Sequence, residues 1–175
     1  TASMMKDFGV SVEKQKKDGQ IKSVFSGEDC YKSLTYDVEP DMSAAAYFYA
    51  LAAVLGVKVA VKGVSNHMIQ GDMEFFNVLE KMGCEVQGLG KNDSGSIIVA
   101  GRKDGSLVGG FEQDMSAFSD QALTLAAIAP YANAPITISG IGHIRLQECD
   151  RIKAIVENLT ALGIKTEEKK DSVTI

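Results

Sequence analysis

The segment RLQECDR (145–151) concentrates four ionisable side chains and a thiol where an amphipathic helix begins. On a helix that starts at Glu148, both Glu148 and Arg151 face the apolar side that carries Ile152. Asp150 falls on the solvent side of the same helix. A charge that faces a core is costly unless it is paired or binds a ligand. The segment therefore predicts either an internal ion pair or a ligand site.

Geometry alone leaves both interpretations open. In the first, Glu148 and Arg151 form an i, i+3 ion pair, and Asp150 favours the helix dipole from the first turn. In the second, the planar fork of Arg151 binds a carboxylate or phosphate, the helix N-terminus adds free amides, and Glu148 transfers a proton. The corresponding segment of an earlier repeat, MIQGDMEFF (68–76), keeps an acid at Asp72 but has no arginine beside it. This difference favours a functional role for the second copy.

A third charged residue, Asp120, opens an Ala-rich helix in the segment FSDQALTLAAIA (118–129). An acid at this position commonly caps the helix or lies in its first turn. The alternative is a carboxylate held at the mouth of a site, within reach of Glu148. The sequence around Asp120 is compatible with both.

The elements that would position these residues form a repeat. Three segments read as a helix end, a glycine where a left-handed C-terminal cap is needed, and an alternating strand. Their glycines are Gly9, Gly83 and Gly163. Two Ala-rich segments, 41–64 and 119–142, each predict a helix that is apolar nearly all round, and therefore buried, followed by a strand.

Two further helices, at 71–82 and 148–162, are predicted to be amphipathic because their apolar residues recur at helical spacing. The apolar faces are formed by Phe75, Phe76, Leu79 and Met82 in the first helix and by Ile152, Ile155, Val156, Leu159 and Leu162 in the second. The turn-like segments KKDG (16–19) and GLGKNDSGS (88–96) predict hairpins.

Together these elements predict an α/β fold of repeated units around an internal pseudo-symmetry axis. We expect one domain over residues 1–175, with part of a unit at 1–37 and complete units at 38–113 and 114–175. The terminal segments TASMMKDFG and DSVTI read as interrupted elements. We therefore expect the chain to be part of a longer protein.

Composition narrows the range of partners. The net charge of −5 argues against nucleic acid, because a phosphate backbone needs a basic face. No apolar run approaches the ~20 residues of a membrane span, so no membrane partner is expected. Three scattered cysteines without a C-x-x-C pair, at Cys30, Cys84 and Cys149, indicate a reducing compartment, most simply the cytoplasm.

Four motifs, in this order, resemble the 5-enolpyruvylshikimate-3-phosphate synthase family of enolpyruvyl transferases. They are VEPDMSAAAYFYALAAVLG, QGDMEFFNVLEKMGCEV, DMSAFSDQALTLAAIAPYA and IRLQECDRIKAIVENLTALGI, and the resemblance covers nearly all 175 residues. It is strongest at Asp120 and at the helix start, which in the family reads Lys-Glu-Ser/Thr-Asp-Arg. It implies a two-domain transferase built from βαβαββ-type units, an inside-out α/β barrel with the active site between the domains. The rest of the same enzyme would then be a partner of this chain, which we expect to be inactive alone.

By this resemblance, the enzyme transfers the enolpyruvyl group of phosphoenolpyruvate to the 5-hydroxyl of shikimate 3-phosphate in the shikimate pathway of aromatic amino acid biosynthesis. The reaction proceeds by addition, a tetrahedral intermediate and elimination of phosphate. Asp120 matches the acid that contacts the shikimate hydroxyl and serves as a base. Glu148 matches the acid that handles the proton at the phosphoenolpyruvate methylene, and Arg151 matches an arginine that binds phosphoenolpyruvate. No metal or organic cofactor is expected.

Two positions depart from the family pattern. Gln147 stands where the family has a lysine that contacts the shikimate-side ligand, and glutamine can donate hydrogen bonds but brings no charge. His143 stands where many members have asparagine and could also touch that ligand. With Arg151 and Asp120, these two residues complete the expected substrate-binding set. Two alternatives stay open: a UDP-N-acetylglucosamine enolpyruvyl transferase, and a non-catalytic α/β module that binds a phosphorylated ligand or a partner surface.

Overall fold

The computed structural model describes residues 1–17, 20–25, 27–89 and 95–175. Within these residues the chain divides into two compact units, Thr1–Val38 and Glu39–Ile175. Each unit has its own helices and strands.

The first unit contains a short helix and a hairpin. Helix α1 spans Ala2–Asp7, and the strands β1 (Val12–Lys17) and β2 (Gln20–Phe25) pair antiparallel. The pairing confirms the predicted hairpin, although Asp18 and Gly19 of its turn lie outside the described residues.

The second unit repeats one order of elements twice. The first copy consists of α2 (Met42–Leu55), β3 (Lys58–Ser65), a 3-10 turn (Gly71–Glu74) that leads into α3 (Phe75–Lys81), β4 (Glu85–Gln87) and β5 (Ser96–Ala100). The second copy consists of β6 (Glu112–Asp114), α4 (Gln121–Ile128) with a 3-10 turn (Ala129–Tyr131), β7 (Thr137–Ser139), a 3-10 turn (Gly142–Leu146), α5 (Arg151–Ala161), β8 (Glu167–Glu168) and β9 (Ser172–Thr174).

The two sheets share a strand order. The first runs β3-β5-β4 and the second runs β6-β7-β9-β8, so the three antiparallel strands of each copy occupy matching places. Strand β6 adds parallel to β7 and completes the order βαβαββ in the second copy. Residues 27–41, which precede α2, form no strand, so the first copy lacks this leading strand.

The hairpin predicted at 88–96 is confirmed by the β4–β5 pairing, while 90–94 lie outside the described residues. The boundaries 1–37, 38–113 and 114–175 stay a prediction.

The three cap glycines are confirmed as left-handed residues. The φ angles of Gly9, Gly83 and Gly163 are 93°, 90° and 81°. The amide of the residue after each glycine donates to a carbonyl of the last helical turn. Cys84 N donates to Leu79 O at 3.0 Å, and Ile164 N donates to Leu159 O at 2.9 Å. These paired bonds define a Schellman turn, which a residue with a Cβ adopts only under strain.

The amphipathic faces are mostly confirmed. All four predicted residues of the α3 face are fully buried, and the ring of Phe76 packs edge-on against that of Tyr49, with centroids 4.9 Å apart. On α5, Ile152, Ile155 and Leu159 are buried. Leu162 was wrongly assigned to this face: it is 76% exposed, because α5 ends before it and the chain turns at Gly163.

The prediction that the Ala-rich helices are buried all round is wrong for α2. Its small residues pack into the core and against α4, and Tyr49 is fully buried. The opposite face of α2 exposes Tyr47, Phe48, Leu51 and Leu55. An apolar composition indicates that a helix can be buried, but it does not specify how much of its surface the same chain covers.

The helices of this fold are short relative to a bilayer. Over the described ranges, none is both long and apolar enough to cross a membrane.

Candidate active site

The helix that carries the charged segment begins later than predicted. Asp150 is the N-cap of α5, with extended backbone, and its carboxylate accepts a hydrogen bond from the amide of Lys153 at 3.0 Å. Aspartate is a preferred N-cap because it satisfies an amide that the first turn leaves free. Glu148 therefore precedes the helix, and the predicted phase that pointed it at the core is wrong: its side chain is 78% exposed.

Arg151 is the centre of the charged group. Its side chain is only 17% exposed, and its guanidinium contacts two carboxylates. Nη1 donates to Asp120 Oδ1 at 2.7 Å, and Nη2 donates to Glu148 Oε2 at 2.6 Å. The predicted i, i+3 ion pair therefore exists, and the structure extends it to a third residue from a different helix.

Asp120 lies at the start of α4 but does not cap it. No hydrogen bond joins its carboxylate to the first turn. The amides there are satisfied by backbone carbonyls instead, as in Ala122 N to Ser119 O at 3.0 Å. Because the carboxylate is not needed for capping, it is available to Arg151. The capping interpretation of Asp120 is therefore wrong, and its carboxylate instead shares Arg151 with Glu148. Its place at the mouth of a site stays a prediction.

The first copy has a matching junction with different chemistry. Ser43, at the start of α2, donates through Oγ to Asp72 Oδ2 at 2.5 Å. Asp72 lies in the 3-10 turn before α3. In both copies, one side chain at the start of the Ala-rich helix thus contacts one at the start of the following helical segment. Only the second copy has a cation in this contact.

His143 and Gln147, the remaining predicted site residues, lie close to the group in sequence and in space. His143 Nε2 is 2.9 Å from the Oγ of Ser119, which directly precedes Asp120. Gln147 follows the 3-10 turn, is exposed, and directly precedes Glu148. Ser119 was missed by the sequence analysis, since its contact joins residues far apart in the chain.

The contacts of Arg145 were not predicted from the sequence. Its guanidinium contacts Asp150 at 3.0 Å and Glu168 at 2.8 Å. Glu168 belongs to the last hairpin, so periodicity around RLQECDR could not reveal the contact. The density of charge in the segment was the only signal.

The contacts shift the acid–base properties of the group. Hydrogen bonds from its own backbone amide and from Arg151 lower the pKa of Glu148, against the small opposing effect of the Asp120 charge. Hydrogen bonds to Asp120 and Glu148 outweigh partial burial and raise the pKa of Arg151. The charged guanidinium of Arg151 is therefore held between the carboxyl groups of Asp120 and Glu148.

Such an arrangement suits proton transfer beside a bound anion. Two carboxylates can each take up or release a proton, and a guanidinium can form paired hydrogen bonds with a carboxylate or phosphate. Only two N–H groups of Arg151 are used by partners in the described part of the chain. Across 1–17, 20–25, 27–89 and 95–175, no cluster of three or more His, Cys, Asp or Glu residues has the geometry of a metal site.

Comparisons with known proteins agree with this architecture. The 3-phosphoshikimate 1-carboxyvinyltransferase of Nostoc punctiforme is 44% identical over 175 residues, which are 100% of this chain and 39% of that protein. The protein of the same name from Methanoculleus marisnigri is 39% identical with the same two coverages. The structure of EPSP synthase from Acinetobacter baumannii superposes with a TM-score of 0.71 at 23% identity, covering 98% of this chain and 39% of that one.

The chain thus spans about two fifths of the length of the relatives it matches. A model of the family described as EPSP synthase (3-phosphoshikimate 1-carboxyvinyltransferase) matches residues 1–175. With the α/β repeats described above, this full-length match establishes that the chain belongs to the EPSP synthase family.

Proposed function

We propose that this chain is the part of a 3-phosphoshikimate 1-carboxyvinyltransferase that supplies its proton-transfer residues. The enzyme would move the enolpyruvyl group of phosphoenolpyruvate to the 5-hydroxyl of shikimate 3-phosphate and release phosphate. The observation that carries the proposal is the bridge from Arg151 to both Asp120 and Glu148, at 2.7 and 2.6 Å. It joins two candidate proton carriers to one anion-binding side chain.

The two carboxylates have separate roles in this proposal. Asp120 accepts the proton of the 5-hydroxyl as its oxygen forms a bond to C2 of phosphoenolpyruvate. Glu148 delivers a proton to the methylene carbon, giving the tetrahedral adduct, and takes a proton back from the methyl group as phosphate leaves. General acid–base groups contribute most when their pKa lies near the working pH, so the charge around Glu148 matters.

Arg151 can regulate that charge. In the structure the backbone amide of Glu148 and then Arg151 hold the pKa of Glu148 down. An anionic substrate that takes hydrogen bonds from Arg151 weakens its pairing with Glu148 and adds negative charge nearby. Both effects raise the pKa of Glu148. Binding of phosphoenolpyruvate would thus prepare the carboxylate to hold the proton that it must deliver.

The charge balance indicates that further cations come from elsewhere. Two carboxylates against one guanidinium leave the group net negative, whereas both substrates are anions. We infer that the rest of the enzyme provides additional basic residues opposite this group. This agrees with a chain that spans about two fifths of its relatives.

The shikimate side of the site would involve His143 and Gln147. His143 already contacts Ser119, next to Asp120, and Gln147 is exposed next to Glu148. Both can hydrogen-bond the ring hydroxyls or phosphate of shikimate 3-phosphate, without contributing the fixed charge of a lysine. No cofactor enters the proposed reaction, since phosphoenolpyruvate is itself an activated donor. Free thiols at Cys30, Cys84 and Cys149 are in keeping with a cytoplasmic location.

The decisive experiment is an assay of the full-length protein that contains this chain. Phosphate release from phosphoenolpyruvate is measured with shikimate 3-phosphate and, in parallel, with UDP-N-acetylglucosamine. Release that requires both phosphoenolpyruvate and shikimate 3-phosphate is the expected result. Release only with the UDP-sugar would assign the sister activity, and no release with either acceptor would favour a binding module.

A further inference from the structure

The Arg145 side chain ties the loop that carries Glu148 to a neighbouring hairpin. Arg145 lies in the 3-10 turn Gly142–Leu146, and its side chain is 21% exposed. Nη1 donates to both carboxylate oxygens of Asp150, at 3.1 and 3.0 Å. Nη2 lies 2.8 Å from Glu168 Oε1 in β8. One guanidinium therefore links the cap of α5 to the edge of a sheet.

Two backbone carbonyls complete this network. Arg145 Nε donates to Lys170 O at 3.0 Å, and Nη2 donates to Lys169 O at 2.7 Å. Both carbonyls belong to the turn between β8 and β9, which is closed by Lys169 N to Ser172 O at 2.9 Å. Since β9 pairs with β7, the turn is anchored in the four-stranded sheet. All three nitrogens of the Arg145 guanidinium therefore have partners. Nε and Nη2 donate to the β8–β9 hairpin, and Nη1 donates to Asp150, where the following loop ends.

The ion pair between Arg145 and Asp150 closes the base of a loop. The four residues between them, 146–149, are all exposed and include Gln147 and Glu148. Asp150 also accepts from the amide of Lys153, so the same carboxylate ends the loop and starts α5. The direction in which α5 presents Arg151 therefore depends on the group that holds Asp150.

The opposite side of the 3-10 turn is held by the same hairpin. The amide of Gly142 donates to the carboxylate of Asp171, and the amide of Ile141 donates to Asp171 O at 3.2 Å. The β8–β9 turn thus holds the segment before Arg145 through Asp171 and the segment after it through Arg145. Burial disfavours the charged form of Arg145, but its bonds to Glu168 and Asp150 outweigh this effect and raise its pKa. The Arg145 guanidinium that joins these groups therefore stays charged.

We propose that Arg145 is a positioning residue for the proposed transfer reaction: by binding Asp150, Glu168 and the hairpin carbonyls, it holds Glu148 and Arg151 in register with Asp120. This inference rests on the proposed function. Arg145 does not contact the proposed reacting groups. Arg145 would act on Glu148 indirectly, through Asp150 and the start of α5. Among the described residues, the side chain of Glu148 bonds to that of Arg151, so its position depends on where α5 places Arg151. A displacement of about 1 Å at a reacting group can cost up to about 100-fold in rate.

The first test measures turnover in the full-length protein with Arg145→Gln and Arg145→Lys. Arg145→Gln should lower kcat/KM by about tenfold or more, mainly through kcat. Lysine keeps one charge but cannot reach both carboxylates and both carbonyls, so Arg145→Lys should recover part of the loss. Arg102→Gln is the matched control, since Arg102 pairs with Asp104 at 3.6 Å in an exposed loop away from the site. It should behave like the unaltered protein.

The second test is amide hydrogen exchange on the same variants. Arg145→Gln should speed exchange in 146–152 and leave β5 (Ser96–Ala100) unchanged. A purely structural role would speed exchange throughout the unit and leave kcat/KM at its original value once the protein is folded. If Arg145→Gln does not fold, Arg145→Lys and Glu168→Gln replace it, with the same direction of change expected.

The outcomes separate the two proposals. Unchanged kcat/KM, or a fall in kcat/KM without faster exchange in 146–152, overturns the positioning role of Arg145. If the unaltered protein releases no phosphate with shikimate 3-phosphate, the proposed function fails instead. Exchange in 146–152 then still reports whether Arg145 orders the loop, and unchanged exchange would overturn that part as well.

Discussion

Asp41 and Asp120 stand at the same position, directly before the Ala-rich helix of their repeat, but their carboxylates have different partners. Asp41 Oδ1 accepts from the amides of Ser43 and Ala44, at 2.9 and 3.4 Å, and caps α2. Asp120 Oδ1 accepts from Arg151 and leaves the first turn of α4 to backbone carbonyls. One copy of the repeat uses this acid for its own helix, and the other uses it in the candidate site.

This difference predicts unequal effects on stability. Asp41→Ala removes a helix cap and should lower the free energy of unfolding by about 1 kcal/mol. Asp120→Ala removes a partly exposed ion pair and no cap, so it should cost less. Urea denaturation of the two variants measures the comparison. Equal losses would mean that Asp120 also supports its helix.

Glu148→Gln should act on turnover more than on affinity. Glutamine keeps the shape and can still bond Arg151, but it cannot carry the proton. In the full-length protein we expect kcat to fall by about 100-fold or more, with little change in KM for phosphoenolpyruvate. The matched control is Glu157→Gln, an exposed acid of α5 that pairs with Lys153 at 3.7 Å. Turnover equal to that of the control would contradict the role of Glu148.

Arg151 should control the titration of Glu148. The Glu148 pKa lies below the ordinary value of 4.5 because of hydrogen bonds from its own amide and from Arg151. Removing the cation in Arg151→Gln takes away the second contribution, so the Glu148 pKa should rise. Carboxyl-carbon NMR titration of both proteins measures the shift.

Asp150 is the internal reference for that titration. Its pKa is lowered by the amide of Lys153 and by Arg145, not by Arg151, and should stay low in Arg151→Gln. These lowered pKa values also affect stability. A carboxyl group whose pKa is lower in the folded than in the unfolded protein stabilises the fold when the pH is above its unfolded pKa. This contribution is lost as the pH falls through its folded pKa. A Glu148 pKa that does not move would show that Arg151 is not the controlling charge.

Cys84 should be the protected thiol of the chain. It is buried, and burial raises its pKa from 9.0 to about 11, whereas Cys30 and Cys149 are exposed. A thiol reagent at pH 8 should label two cysteines in the folded chain and the third only after unfolding. Between pH 9 and 11 the unfolded thiol ionises while the folded one stays protonated, so this group should lower stability as the pH rises. Rapid labelling of Cys84 in the folded chain would contradict the buried assignment.

The sequence was most informative where a local rule decides the structure. Gly83 and Gly163 were assignable because a helix end followed by a strand needs a left-handed residue, and the α3 face was assignable because Phe75, Phe76 and Leu79 recur at helical spacing. Periodicity could not locate the first residue of α5. A cap at Asp150 stops the helical phase there, and Glu148 faces solvent as a result.

Contacts between distant segments explain the remaining misses. The sequence left open whether Asp120 caps its helix or joins the charged group, so it did not specify the bond from Arg151 to Asp120. The bonds from Arg145 to the β8–β9 turn join residues far apart in the chain, and residue spacing around Arg145 does not predict them. The exposure of Leu51 and Leu55 on α2 has a similar cause, since hydrophobicity does not specify which elements cover a helix. Tertiary packing determined each of these features.

The paired junctions at the helix starts separate what the repeated backbone provides from what individual side chains provide. The contact from Ser43 to Asp72 shows that the first copy also brings two helix starts within one hydrogen bond of each other. In the second copy the acid at the cap position, Asp120, makes the corresponding contact with Arg151, whereas Ser43 lies two residues after the cap position of its own helix. The repeated backbone therefore brings two helix starts together without fixing which position of the helix start, or which chemistry, makes the contact.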